Sequence, residues 1–221
     1  MEEEPQKTVK LDMHVHTCHS KDSTIKPSSI GRILEEKNLD GAAITDHNVL
    51  TGYCEAAKHT GKLIVPGVEV HTSRGDIVAL FIQDEVGSRD FFTVVDEVHS
   101  QGGLVVLAHP FDWLRRSSPK MGSFSDRDLT ELVDAIEVLN SRCVFTASNE
   151  RARNLAHKLG KPMLAGSDAH TPMEVGRSYI VIREAQSVED VYQAIKSGKA
   201  TPQGAKSSFL VHFSTLIRFF K

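Results

Sequence analysis

Val9-Lys-Leu-Asp-Met-His-Val-His16 is an apolar run that ends in two imidazoles, and the same arrangement returns along the chain. Gly41-Ala-Ala-Ile-Thr45 closes on Asp46-His47, and Leu63-Ile-Val-Pro-Gly-Val68 closes on Glu69-Val-His71. Leu104-Val-Val-Leu-Ala108 closes on His109, and Met163-Leu-Ala-Gly-Ser167 on Asp168-Ala-His170. Apolar runs of this length read as buried strands. Acids and histidines at their carboxyl ends lie where α/β barrels place their chemistry. Helical stretches fill the intervals: one after Pro27, others over 51–59, 88–101, 148–159 (stopped by Gly160) and 187–196. Further strands are expected over 133–139, with Asn140-Ser-Arg142 at its end, and over 178–182. Repeated βα units predict an α/β fold with a parallel sheet, and no linker divides residues 1–221, so one domain is expected.

Composition narrows the function. A chain of 221 residues can bury one sizeable core, and its net charge of −3 argues against a broad nucleic-acid footprint. Cys18, Cys54 and Cys143 form no CxxC pair, which suits a reducing compartment. No apolar stretch reaches membrane-spanning length, and Met1-Glu-Glu-Glu-Pro5 is acidic where a secretory signal is basic, so the expected location is cytoplasmic. The irregular stretch 112–127, with Trp113, Arg115, Arg116 and Lys120, is expected to cover the barrel mouth. Residues 207–221 carry Phe209, Leu210, Phe213, Leu216, Ile217, Phe219 and Phe220, the pattern of an amphipathic helix packed outside the barrel, with a dimer contact as the alternative.

Strand alternation places His14 and His16 on one face, with Val9, Leu11, Met13 and Val15 on the other. Two neutral imidazoles at this spacing can share a divalent ion. His71 shares the face of Glu69. Asp46 and Asp12 are expected to support a ligand imidazole from behind. His19 is a candidate substrate contact, while His59, His99, His157 and His212 fall on helical stretches and read as surface residues.

The motifs His14-Val-His-Thr17, Ser20-Lys-Asp-Ser23, Ile44-Thr-Asp-His-Asn48, Pro66-Gly-Val-Glu69, Ala108-His-Pro110 and Gly166-Ser-Asp-Ala-His170 occur in an order that resembles the PHP (polymerase and histidinol phosphatase) superfamily. The resemblance covers residues 10–182, with C-terminal helices over 187–221. It implies a distorted (β/α)7 barrel of the TIM type that holds two to three divalent ions, commonly Zn, Mn or Fe, with Mg also admissible. By this resemblance His14, His16, Glu69 and Asp168 hold the first ion, and Asp22, His47 and His170 the second. Glu69 bridges to a third, held also by His109. The remaining ligand of that third site is often a histidine, and Gly75-Asp-Ile-Val-Ala-Leu80 offers Asp76 instead. A hard oxygen there favours Mn or Mg over Zn.

Clustered divalent ions suit phosphate-ester hydrolysis, because they acidify water to a metal-bound hydroxide and neutralise phosphoryl oxygens. The chain has no GxSxG elbow to supply a serine nucleophile. A metal-dependent phosphoric ester hydrolase is therefore expected, with His109 or His71 protonating the leaving alkoxide. Asn140, Arg142 and Arg177, at strand ends, are candidates for gripping phosphate. The resemblance implies nucleoside 3′,5′-bisphosphates or the 5′ ends of short RNA as substrates, with a histidinol-phosphate-type small molecule as the alternative. A non-catalytic scaffold like the related barrel of ribonuclease P fits less well, since nearly every ligand is present and the chain is not basic. An amidohydrolase fits less well because no lysine stands at a strand end.

Overall fold

The computed structural model describes residues 8–207. The amphipathic stretch expected over 207–221 therefore lies, apart from Ser207, outside the described residues. In chain order the strands are β1 (Thr8–Val15), β2 (Gly41–Ile44), β3 (Leu63–Thr72), β4 (Gly75–Leu80), β5 (Leu104–Leu107), β6 (Ala135–Asn140), β7 (Met163–Gly166), β8 (Ser178–Arg183) and β9 (Thr201–Gly204). The helices are α1 (Ile30–Glu36), α2 (Thr51–Lys58), α3 (Phe91–Ser100), α4 (Asp126–Leu132), α5 (Thr146–Leu159) and α6 (Val188–Lys196). The strands form one sheet in the order β7-β6-β5-β4-β3-β2-β1-β8-β9. The sheet curls nearly shut into a barrel: Asp168 N–H donates to His14 O and His16 N–H to Ala169 O, so the chain after β7 pairs with the end of β1. Gly166 is required at this seam, because a Cβ there would sit 2.2 Å from His14 Cβ.

Sequence alternation predicts an all-parallel sheet, and the structure corrects this. β1-β2-β3 and β5-β6-β7 are parallel, but β4 runs antiparallel to both β3 and β5, and β8 runs antiparallel to β1 and β9. Period-two patterning sets which face is apolar and carries no information on strand direction. The β3–β4 connection is a tight turn at Ser73-Arg74 that leaves room for no crossover helix.

Val9, Leu11, Met13, Val78, Leu80, Val106 and Leu164 fill the barrel interior together with Val191 and Ile195 of α6. Separate outer clusters seat the helices: α1 on Val15, Ala42 and Ile44, α3 on Val68, Val70 and Ile77, and α5 on Ile136 and Val138. This division corrects the expected parity of β1. Val15 lies outside under α1, while Val9, Leu11 and Met13 lie inside, on the same side as His14 and His16. The pairing of β1 with β2 shifts register between Asp12 and Val15, and this irregularity switches the alternation. The 112–127 stretch is also shorter than expected. Its end is α4, whose Ser125 cap and Asp128 form a reciprocal capping box.

Candidate metal centre

The barrel mouth gathers its side chains from several strand ends. His14 and His16 bring their Nε2 atoms to 3.1 Å of each other. Asp168 Oδ1 lies 3.5 Å from His16 Nε2 and 3.9 Å from His14 Nε2, and Glu69 lies 3.6 Å from His14 and 3.4 Å from His16. Asp22, on the loop after β1, reaches His170 Nε2 at 3.1 Å and His47 Nε2 at 3.6 Å. Glu69 also contacts His47 Nδ1 at 3.1 Å and His109 Nε2 at 3.0 Å. Three groups have ligand atoms close enough for one ion: His14, His16 and Glu69; His16, His47 and His170; and Glu69, Asp76 and His109. Antiparallel β4 accounts for the last, since its first residues, not its last, lie at the mouth. There Asp76 stands opposite His71, and its Oδ1 lies 2.6 Å from His71 Nδ1.

The residues behind the cluster fix which imidazole nitrogen faces inward. His14 Nδ1 lies 3.0 Å from Glu137 Oε1, His16 Nδ1 3.0 Å from Ser20 Oγ, and His170 Nδ1 donates to the carbonyl of Asp168. Each leaves Nε2 as the inward lone pair, the arrangement common among ligating histidines. Glu137 is one residue that sequence reasoning missed. Its other oxygen accepts the His109 backbone N–H and the Asn140 side-chain amide, so one buried carboxylate ties together three strand ends. A lone glutamate inside Ala135-Ile-Glu-Val-Leu139 was the available signal, because a buried charge requires partners. Ser20 is another: it accepts from His47 N–H and donates to Asp46 Oδ1, so Asp46 supports His16 through a hydroxyl instead of directly. Asp12 supports no imidazole. It accepts the backbone N–H groups of His14, Ser167 and Gly176 and clamps the closing seam, where burial pushes its pKa up to about 6. His109 and Asp168 both carry positive φ, 31° and 56°, a strained conformation for non-glycine residues that functional sites often retain.

Electrostatics divide the cluster. Burial opposes charge on His14, yet Asp168, Glu137 and Glu69 together outweigh it and hold its pKa well above the ordinary value. Burial and the adjacent His170 and His47 push His16 down to about 3. Burial also works against His47, but Asp22 and Glu69 raise it to about 11. Glu69 and Asp168 stay well below the carboxylate range despite burial, held down chiefly by His14 and by Arg115 respectively. Burial and neighbouring Glu69 push Asp76 up.

The donor set fits divalent cations. Asp168 Oδ1 is buried without a hydrogen bond, facing the Nε2 atoms of His14 and His16, whose Nδ1 atoms already have partners, and Asp22 Oδ1 is buried without one beside the oxygen that meets His47 and His170. Neutral imidazole and carboxylate are the ligands of Zn, Mn and Fe sites.

The remaining candidates divide. Asn140 is fully buried, and its amide serves Glu137 and Asp168. Arg142 is almost fully buried and lies 3.4 Å from Glu174, whose other oxygen accepts the His170 N–H. Arg177 is exposed just before β8. His71 is exposed at the rim. His19 lies apart, 3.2 Å from Glu55. His59, His99 and His157 are exposed surface residues, as expected, and His212 lies outside the described residues. Arg115, from the loop after β5, reaches into the centre to pair with Asp168 while its Nε holds Asp112 at 3.2 Å. Among the described residues no helix is long and apolar enough to cross a membrane.

Comparison with known proteins agrees with this geometry. A model described as PHP domain matches residues 12–122, and one described as PHP-associated matches 146–200. An uncharacterized Methanocaldococcus jannaschii protein, MJ0417, is 36% identical over 178 residues, which cover 80% of this chain and 71% of that protein. Among solved structures, a two-domain Bacteroides vulgatus protein containing a predicted PHP-like metal-dependent phosphoesterase superposes with a TM-score of 0.74 at 19% identity. That likeness covers 90% of this chain and 66% of the two-domain protein. The lesion-specific endonuclease PfuEndoQ from Pyrococcus furiosus superposes with a TM-score of 0.65 at 17% identity, over 90% of this chain and 59% of its own. These two likenesses speak to the fold alone. The matched segment holds His14, His16, His47, Glu69, Asp76 and His109 at the strand ends and Asp22 on the loop described above, and the chain belongs to the PHP domain family.

Proposed function

We propose that this protein is a metal-dependent phosphoesterase that hydrolyses the phosphate ester of a nucleotide or the end of a short nucleic acid. The observation that carries the reading is Glu69: its two oxygens face His14 and His109 on one side and His16 and His47 on the other. One carboxylate shared by two ligand groups and in contact with His16 and His47 of the other is the arrangement expected where two or three ions act together on one phosphoryl group. His14, His16, Glu69 and Asp168 would hold one ion, Asp22, His47 and His170 a second, and Glu69, His109 and Asp76 a third. Bound divalent ions supply charge neutralisation at the phosphoryl oxygens and acidify water.

The chain's own residues do the rest. Arg115, Arg142 and Arg177 provide guanidinium groups around the mouth to orient phosphate, and Arg fits such oxygens in two-pronged fashion. His71, exposed and anchored through Nδ1 to Asp76, is the better placed of the two histidines to give a proton to the leaving alkoxide, since His109 is buried against Glu69. The printed descriptions of the Bacteroides and Pyrococcus structures, a phosphoesterase and an endonuclease, support the same chemistry. The test is one panel: nucleoside 3′,5′-bisphosphates, 5′-phosphorylated oligonucleotides and histidinol phosphate, each with Mn, Zn and Mg, alongside elemental analysis. Release of phosphate or nucleotide only with metal supports the reading. Absence of metal uptake and of hydrolysis on every substrate overturns it.

A further inference from the structure

Five large apolar side chains are exposed among the described residues: Phe92, Trp113, Leu114, Phe145 and Met173. All but Phe92 stand on the loops that follow β5, β6 and β7, at the barrel end that carries the candidate centre. Two of them are organised. The rings of Trp113 and Phe145 lie nearly parallel, 16° apart with centroids at 5.1 Å, yet Trp113 remains 68% exposed and Phe145 41%. Both are bound through their own loops to the centre. Arg115, two residues beyond Trp113, pairs with Asp168, and Arg142, three residues before Phe145, pairs with Glu174 behind His170.

The charge around the pair selects its occupant. Residues 112–124 contain Arg115, Arg116 and Lys120 against one carboxylate, Asp112, which is buried and paired with Arg115, while residues 141–150 contain Arg142 and Glu150. Arg116 and Lys120 are exposed. Exposed apolar groups on a rim mark a binding surface. Parallel ring faces on a loop that also carries the exposed cations Arg116 and Lys120 match a planar ring that carries phosphate, because a base stacks on aromatic faces while its backbone takes the positive charge. We propose that Trp113 and Phe145 form a stacking platform for the nucleobase of the substrate, next to the centre that acts on its phosphate. The proposal rests on the phosphoesterase reading for the second half of that sentence alone.

Trp113 is the one tryptophan of the chain, so its fluorescence reports on the platform directly. Metal-loaded protein would be titrated with adenosine 5′-phosphorothioate and, separately, with ribose 5-phosphate, which has no base. The expected result is saturable quenching by the nucleotide alone, weakened in Phe145→Ala. Trp113→Ala should raise KM for base-bearing phosphoesters about ten- to a hundredfold, the usual worth of one base–aromatic stack, while KM for ribose 5-phosphate and metal content stay unchanged. Equal quenching by both ligands overturns the platform. So does quenching by anionic phospholipid vesicles but not by nucleotide, or a fluorescence change that follows only self-association of the protein. Nucleotide quenching in a protein that hydrolyses no phosphoester supports the platform and separates it from the hydrolase reading, which would then fall.

Discussion

Glu137 Oε1 lies 3.0 Å from His14 Nδ1, while Glu137 Oε2 takes the backbone N–H of His109, so one carboxylate on β6 sets the orientation of histidines at two other strand ends. Glu137→Gln replaces one acceptor oxygen by a donor, and either amide orientation then turns an N–H towards another N–H. The expected result is a ten- to hundredfold loss of metal affinity, about the size typical for partners behind a ligand, with the circular dichroism unchanged. Competition against a chromophoric chelator measures it, and unchanged affinity would remove Glu137 from the centre.

His14→Ala and Asp168→Ala should each abolish phosphoesterase activity without unfolding the chain. Both side chains are buried, but they contact charged and polar groups, so truncation opens no hole in the apolar interior. Turnover at the wild-type rate in either variant would mean that the cluster is not the reacting site.

Asp76→His should move the preference of the protein away from Mn and towards Zn, because imidazole is the softer donor. The His14–His16–Glu69 and His16–His47–His170 groups do not include Asp76 and should keep their ions. Titration of both metals into the variant checks this. An unchanged preference would leave the third group without Asp76 as a ligand.

Chelated protein should lose thermal stability as pH rises from about 6.5 towards 11. His47 titrates near 6.5 when unperturbed and is raised to about 11 in the folded chain by Asp22 and Glu69. Its contribution is full below the lower value and is lost as pH climbs through the upper one. Metal binding releases such protons, so the loaded protein should show the opposite trend in affinity, binding more tightly as pH rises. Melting curves at pH 6.5 and 9, with and without metal, separate the two. A chelated protein equally stable at both would place His47 outside this network.

Arg142→Ala and Arg177→Ala should raise KM more than they lower metal content. Loss of one charge-assisted phosphate contact is worth about 1.5–3 kcal/mol, roughly ten- to a hundredfold in kcat/KM. Arg177 is the cleaner probe, since Arg142 also supports the His170 loop through Glu174. Full kcat/KM in Arg177→Ala on every phosphorylated substrate would leave the grip to Arg142 and Arg115.

What was legible in the sequence was local. The histidines and acids lie at strand ends, and each motif is a few residues long, so apolar runs were enough to place them. Direction and parity were not legible. Nothing in Gly75-Asp-Ile-Val-Ala-Leu80 says that β4 runs backwards, and strict alternation assigned Met13 and His14 to opposite faces where a register shift puts both inside. Residues that act through long-range partners were also hidden. Glu137, Ser20 and Glu174 gain their roles from His14, Asp46 and Arg142, 123, 26 and 32 residues away, and no local pattern announces such pairs. The capping box Ser125-Asp-Arg-Asp128 is a different case, since that spacing is written in the chain and points to α4.

The two-residue turn at Ser73-Arg74 has a consequence for how the third ligand group can change over time. Because side chains alternate along β4, one residue inserted there and taken up by the strand would put Gly75 in the position of Asp76 and carry the carboxylate to the outer face. The other two groups draw nothing from β4 and would be left intact. The number of ions this barrel can carry is thus open to revision by a change in loop length alone, with no ligand residue substituted.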